Sequence, residues 1–242
     1  MDAVRNMYQV FSSCQNMKSV TFPPEFTAAN VDTFQRMFTG CSKWTQINDI
    51  ANWNPLKVTN FSEMFEFNTS LTTLSLDKWE FTQATDLSYM FWGCSKLVEI
   101  TKQNILNWDV SKVLKFSLVS FDEKHNLRAY DGMFNGCTKL QKLRLDGWQI
   151  NPKAIIPMFF QDCSRLSYLV LGAGFRFNVS SGTGWGPANY RRGFPEADSP
   201  QISYSKNWRQ IKNDSEIEQR SYVGEPFNDS SFTSPLSILG RL

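Results

Sequence analysis

Five cysteines and one histidine are the side chains of this 242-residue chain best suited to chemistry. A thiolate can act as nucleophile, metal ligand or disulfide partner, and an imidazole as acid, base or ligand. The thiols fall at Cys14, Cys41, Cys94, Cys137 and Cys163, separated by 27, 53, 43 and 26 residues. Such gaps lack the close cysteine pairs of ordinary zinc sites. His125 stands beside Asp122 and Glu123, but three adjacent loop residues do not converge readily on one ion. No second histidine, nucleophile–base pair or convergent carboxylate motif accompanies it. The glycine-rich stretch Ser180–Pro187 lacks the Gly-Lys-Ser/Thr of a phosphate cradle. The expectation is a protein without catalytic residues, cofactor or metal.

The cysteine spacing instead signals a repeat. The gap of 53 is two periods with Asn68 at its midpoint, so one position recurs at 14, 41, 68, 94, 137 and 163. A fixed period of this size is the mark of a stacked array. A phenylalanine stands three residues before each of these positions: Phe11, Phe38, Phe65, Phe91, Phe134 and Phe160. Ahead of it come Val10, Met37, Met64, Met90, Met133 and Phe159, then Met7, Phe34, Phe61, Leu87, Tyr130 and Ile156. The outermost column is Val4, Val31, Val58, Ala84 and Leu127, with Lys153 as the exception. Apolar residues at i, i+3, i+6 and i+7 predict one face of a short helix. Beyond the cysteine position, runs such as Leu140-x-x-Leu143-x-Leu145 predict a short strand with one buried face. An aromatic column, Phe26, Trp53, Trp79, Trp108 and Trp148, precedes the helix, and Asn151-Pro152 reads as an N-cap with proline in the first turn.

The exchange of cysteine for Asn68 decides what the thiols do. An amide cannot replace a disulfide partner or a thiolate nucleophile, but it can replace a small polar side chain that bonds backbone in a tight turn. Cys14, Cys41, Asn68, Cys94, Cys137 and Cys163, with Phe38, Phe65, Phe91, Phe134 and Phe160, are therefore expected to form a structural ladder of reduced thiols and packed rings. Function is expected on the outward side of the strands, five and seven residues past the ladder position. Those positions are Ser19 and Thr21, Gln46 and Asn48, Thr73 and Ser75, Glu99 and Thr101, Lys142 and Arg144, Tyr168 and Val170. The ribbon is small and polar at one end, basic and aromatic at the other.

Two segments break the period. Three extra residues fall in Thr101–Asn104 and fourteen between Val113 and Leu127, an insertion of about 113–127 that reads as a short projecting hairpin or a tolerated excursion. Insertions in repeat proteins map to loops on the binding side, so Phe121, Lys124 and His125 join Gln46, Asn48, Thr73, Ser75, Glu99, Thr101, Lys142, Arg144 and Tyr168 as candidate partner contacts. Past residue 172 there is no Cys or Met, and half of the prolines and most of the glycines gather there. Residues 173–242 read as an irregular, partly β cap and extension. Phe175-Arg176-Phe177 and Ile202-Ser203-Tyr204 are its candidate strands. A separate ligand-binding module using Trp185, Tyr190, Arg191, Arg192 or Trp208 is the other reading.

Lys and Arg total 25 against 23 Asp and Glu. That near balance argues against binding nucleic acid through a general basic field. No apolar run spans a bilayer and the first ten residues do not read as a signal peptide. Met1 begins inside the first unit, with Val4, Met7, Val10 and Phe11 already in column, so the chain is expected to be part of a larger chain or assembly.

Met90-Phe91-Trp92-Gly93-Cys94-Ser95-Lys96-Leu97 and Trp108-Asp109-Val110-Ser111-Lys112-Val113 resemble the bacterial surface-protein 26-residue repeat, the BspA-like group of leucine-rich repeats. The resemblance covers residues 1–172. It implies an α/β, leucine-rich-repeat-like solenoid of about six strand–turn–short-helix units. It also implies an extracellular or cell-surface location and a non-enzymatic adhesion or recognition role. The partner is then a host protein, glycan or matrix component, without nucleic-acid binding or membrane insertion. The alternative is a receptor-binding or spacer component of a phage or virus appendage.

Overall fold

The computed structural model describes residues 3–47, 49–76, 78–100, 108–121, 127–145, 147–154, 156, 159–160, 162–166, 168–172, 208–211 and 236–241. Equivalent positions of successive units are spatial neighbours. Parallel bridges join Asn6 to Thr33, Thr33 to Asn60, Asn60 to Asp86 and Asp86 to Lys115. Each unit thus lays one rung beside the next.

The segment read as a helix is a run of turns. In the third rung, the N–H groups of Phe61, Glu63, Phe65 and Phe67 donate to the carbonyls of Asp86, Ser88, Met90 and Trp92 in the fourth, at 2.7–2.9 Å. The N–H groups between them fold back on their own rung: Met64 to Phe61, Glu66 to Glu63 and Asn68 to Phe65. Alternate donors therefore point at the neighbour, whereas a helix would keep them all. The i, i+3 apolar spacing satisfies both arrangements, because a chain of i→i−3 turns also returns to the same face every third or fourth residue. This geometry requires left-handed backbone at two positions per rung, four residues apart, as the third residue of a type II turn does. They are Gln9 and Ser13, Arg36 and Gly40, Glu63 and Phe67, Tyr89 and Gly93. Each non-glycine among them costs roughly 1–2 kcal/mol, offset by the inter-rung bonds it makes possible. Asn151 opens a turn rather than a helix, its Oδ1 accepting from Lys153 N–H at 2.9 Å. Asp49–Asn52, a single 3-10 turn, is the one helical element among the described residues.

The core is a set of side-chain stacks running across the rungs. Phe11, Phe38, Phe65, Phe91, Phe134 and Phe160 lie ring on ring, with successive centroids 5.4–6.0 Å apart and planes within 17°. Such pairs add about 0.5–1.5 kcal/mol each beyond their burial. Trp53 stacks on Trp79, and Trp108 on Trp148, forming a second, fully buried column. Strand β1 (Thr73–Leu74) pairs in parallel with β2 (Glu99–Ile100). Leu74 and Ile100 are buried, and Thr73 and Glu99 exposed.

The insertion is a hairpin placed later than the spacing indicates. β3 (Ser117–Phe121) pairs antiparallel with β4 (Leu127–Gly132). Leu127 and Tyr130, aligned by spacing with the Val58 and Phe61 columns, lie in β4. Val113 and Phe116, both fully buried, hold those columns instead. Val113 N–H closes its turn on Val110 as Ala84 N–H does on Phe81. The rung is therefore interrupted between Phe116 and Met133. Two alignments were available because Val113-x-x-Phe116 and Leu127-x-x-Tyr130 have the same apolar spacing. Likewise Ala154, and not the exposed Lys153, is the buried residue of the last unit.

At the carboxyl side, β5 (Lys142–Leu145) pairs in parallel with β6 (Tyr168–Gly172). β7 (Trp208–Ile211) and β8 (Leu236–Arg241) complete a four-stranded sheet of order β5-β6-β8-β7. β8 runs antiparallel along the whole of β6, from Tyr168 opposite Gly240 to Gly172 opposite Leu236. Trp208 begins β7, whereas Phe175–Phe177, Ile202–Tyr204, Trp185, Tyr190, Arg191 and Arg192 lie outside the described residues.

Candidate functional site

The ladder thiols bond to backbone. Cys41 Sγ donates to Phe11 O at 3.1 Å, Cys94 to Phe65 O at 3.0 Å, Cys137 to Phe91 O at 3.2 Å and Cys163 to Phe134 O at 3.0 Å. Asn68 Nδ2 performs the same task, donating to Phe38 O at 2.8 Å and Phe65 O at 2.9 Å. All five cysteines are free, and all but Cys14 are buried. Burial pushes the Cys41 and Cys94 thiols up to about 12, and those of Cys137 and Cys163 well above their ordinary value. A buried, protonated thiol is a poor nucleophile and metal ligand. At these four positions and at Asn68 the column ties each rung to the one before it.

Some of the outward positions come into register in the described strands. Thr73 sits opposite Glu99, and Lys142 opposite Tyr168 with Arg144 opposite Val170. Thr72 N–H donates to Thr45 O at 2.9 Å and Val98 N–H to Thr72 O at 3.0 Å, which brings Gln46 alongside Thr73 and Glu99. Gln46, Thr73, Glu99 and Lys142 are exposed, and Ser75 and Arg144 half-buried. The surface alternates with the buried Leu143 and Leu145 beneath it. Side by side it offers hydroxyls, an amide, a carboxylate, an ammonium and a guanidinium. That inventory suits hydrogen bonding and ion pairing across an extended partner. Asn48, Thr101, Lys124 and His125 lie outside the described residues, and Phe121 is placed only as the last residue of β3.

The family model described as "Mycoplasma protein of unknown function, DUF285" matches residues 5–131 and 75–170. The chain belongs to the DUF285 family. No curated protein and no solved structure matches it. The two overlapping DUF285 matches both take in the rungs around Phe91 and the hairpin. β7 and β8 lie beyond the DUF285 residues, so the strand that covers β6 comes from sequence outside the family match.

A second surface, on the turn side of the DUF285 rungs, was not anticipated from spacing. Arg36 Nε and its terminal nitrogen both reach Glu63 Oε2 at 2.7 Å, linking the second and third rungs. This hydrogen bond holds the guanidinium above its usual value against partial burial. One rung on, Trp92 contacts Phe67 at 4.6 Å and Tyr89 at 5.2 Å between centroids. Phe67 occupies a left-handed position filled elsewhere by Ser13, Gly40, Gly93, Gly136 and Asp162. Its ring lies where a Cβ on Gly93 would be, 2.5 Å from Cδ1. The signal was available: an aromatic in a column of glycine and small polar residues.

Proposed function

We propose that this DUF285 protein is a non-enzymatic recognition or adhesion module of the BspA-like leucine-rich-repeat kind. In this reading it is a leucine-rich-repeat-like solenoid of strands and turns from residue 1 to 172, closed by residues 173–242. It acts outside the cell and binds a host protein, glycan or matrix component along the strand face. The observation that carries the reading is the shared register of Gln46, Thr73 and Glu99 over a buried apolar layer, which makes a surface out of residues far apart in sequence. Repeat arrays use extended faces of this kind for binding. The buried, protonated thiols support a structural over a catalytic use of the cysteines.

The test is a host-protein and glycan array screen of the chain against the double variant Lys142→Glu, Arg144→Glu. Loss of bound ligands with an unchanged unfolding midpoint is the expected result, since exposed charges contribute little to stability. Equal binding by both proteins removes the basic end of the ribbon from the site. A third protein lacking residues 118–131 reports whether the hairpin contributes.

A further inference from the structure

Phe67 departs from its surroundings in two ways. Among the described phenylalanine side chains it alone is exposed, at 43%. It also holds left-handed backbone with φ 54°, which a bulky residue adopts only under strain. Its ring completes a surface. It lies over Gly93, where a Cβ would come within 2.5 Å of it, and meets Trp92 at 4.6 Å between centroids. Trp92 is half-buried and rests on Tyr89 at 5.2 Å, and Tyr89 is itself left-handed with φ 58°. Strained residues gather where a surface is put to use. The column that contains Tyr89 is ionic in the two rungs before it. Glu63 stands one rung back, its N–H bonded to Ser88 O at 2.8 Å, and Arg36 one rung further. The Arg36 side chain is 41% exposed, and its guanidinium carries more N–H groups than the two that reach Glu63.

We propose that Phe67 and Trp92 form a stacking platform for a hexopyranose ring of a glycan, with Arg36 and Glu63 bonding hydroxyls of the same glycan. The site lies on the turn side and does not rest on the strand-face reading. The chemistry of the patch selects this occupant. One face of a pyranose presents C–H groups of slight positive charge, which match the negative face of an aromatic ring. Its hydroxyls replace the water that Arg36 and Glu63 give up when the rings are covered. An apolar peptide side chain covers the rings equally well, but it strips that water and returns no hydrogen bonds. A quaternary ammonium needs rings set around a gap. Here the rings pack against one another, and the nearest exposed charge is the guanidinium of Arg36.

The test is saturation-transfer difference NMR of the full chain with methyl β-D-galactopyranoside, methyl β-D-glucopyranoside and methyl α-D-mannopyranoside. The expected result is transfer to the ring C–H protons of at least one glycoside, kept in Phe67→Tyr and lost in Phe67→Gly. Glycine relieves the left-handed strain and repeats what Gly40, Gly93 and Gly136 do in other rungs, so the unfolding midpoint of Phe67→Gly stays close to that of the parent chain. The double variant Lys142→Glu, Arg144→Glu keeps the transfer, which separates this site from the strand face. Absence of transfer to all three glycosides overturns the proposal. So does transfer that survives Phe67→Gly, or that only the strand-face variant abolishes, because the sugar then sits elsewhere. Acetyl-leucine amide stands in for an apolar peptide, and transfer to it as strong as to the best glycoside and lost in Phe67→Gly also overturns the proposal. A fall in the midpoint of Phe67→Gly as large as that of Phe91→Ala does the same, since Phe67 is then a packing residue.

Discussion

The first and last rungs have the same side-chain pattern and opposite environments. Phe11 is half-buried and Val10 exposed, whereas Phe159, Phe160, Cys163, Leu166 and Leu169 are completely buried. At the strand side of the last unit β8 pairs with β6 along its full length. The difference teaches where stability resides in a stacked array. A rung's own sequence supplies half of its interface, and the neighbour supplies the rest.

The largest expected consequence separates sealed thiols from solvent. Cys41, Cys94, Cys137 and Cys163 are buried; the first two stay protonated to about 12, and burial raises the other two well above the ordinary value of 9.0. Unfolded thiols ionise near their ordinary value. Their contribution to stability is therefore whole below pH 9 and declines as pH rises toward 12. At pH 10 the loss is on the order of 1 kcal/mol per thiol and of several kcal/mol for the four. Urea unfolding at pH 7 and 10 measures it, and Cys94→Asn should lessen the alkaline loss by one thiol's share. A flat pH response breaks the contrast.

Next in size is ring truncation at the two ends. Phe160→Ala should cost about 3–5 kcal/mol as a sealed core deletion. Phe11→Ala should cost about 1–2 kcal/mol, because its ring is only partly buried to begin with. Equal losses in chemical denaturation would show that the first rung is as well covered as the last.

The smallest effect lies midway along the ladder. Asn68 Oδ1 is buried without a hydrogen-bond partner. Replacing Asn68 by Cys keeps the donor to Phe38 O and removes an unsatisfied acceptor. A gain of about 1 kcal/mol in unfolding free energy is expected. A loss would mean that the second Asn68 bond, to Phe65 O, outweighs the stranded oxygen.

Side-chain columns were far more legible than backbone. Phe38, Phe65, Phe91, Phe134 and Phe160 repeat at a fixed period, and a period forces equivalent residues to meet once rungs stack. Asn68 among cysteines likewise exposed the hydrogen-bonding task, because only that task is common to both side chains. The turn conformation was hidden, since apolar spacing reports which side a residue faces and not where its N–H points. Left-handed Arg36, Glu63 and Tyr89 carry no compositional mark. The hairpin bounds were ambiguous between two equally spaced apolar pairs. β8 lies more than sixty residues from β6 in sequence, and no local pattern encodes so distant a pairing. The outward exposure of Gln46, Thr73, Glu99 and Lys142 was legible because strand alternation has a period of two. Arg36, Glu63, Phe67 and Trp92 were missed because turn residues follow no such alternation.

The β3–β4 hairpin leaves its rung and returns without breaking the stack. Leu87 N–H is held by Lys115 O ahead of the hairpin, and Phe91 N–H by Met133 O behind it. Both feet of the excursion are thus clamped to the same neighbouring unit. The tip can change in length or composition while its anchorage stays put, so this site is suited to displaying foreign peptide epitopes on a fixed support.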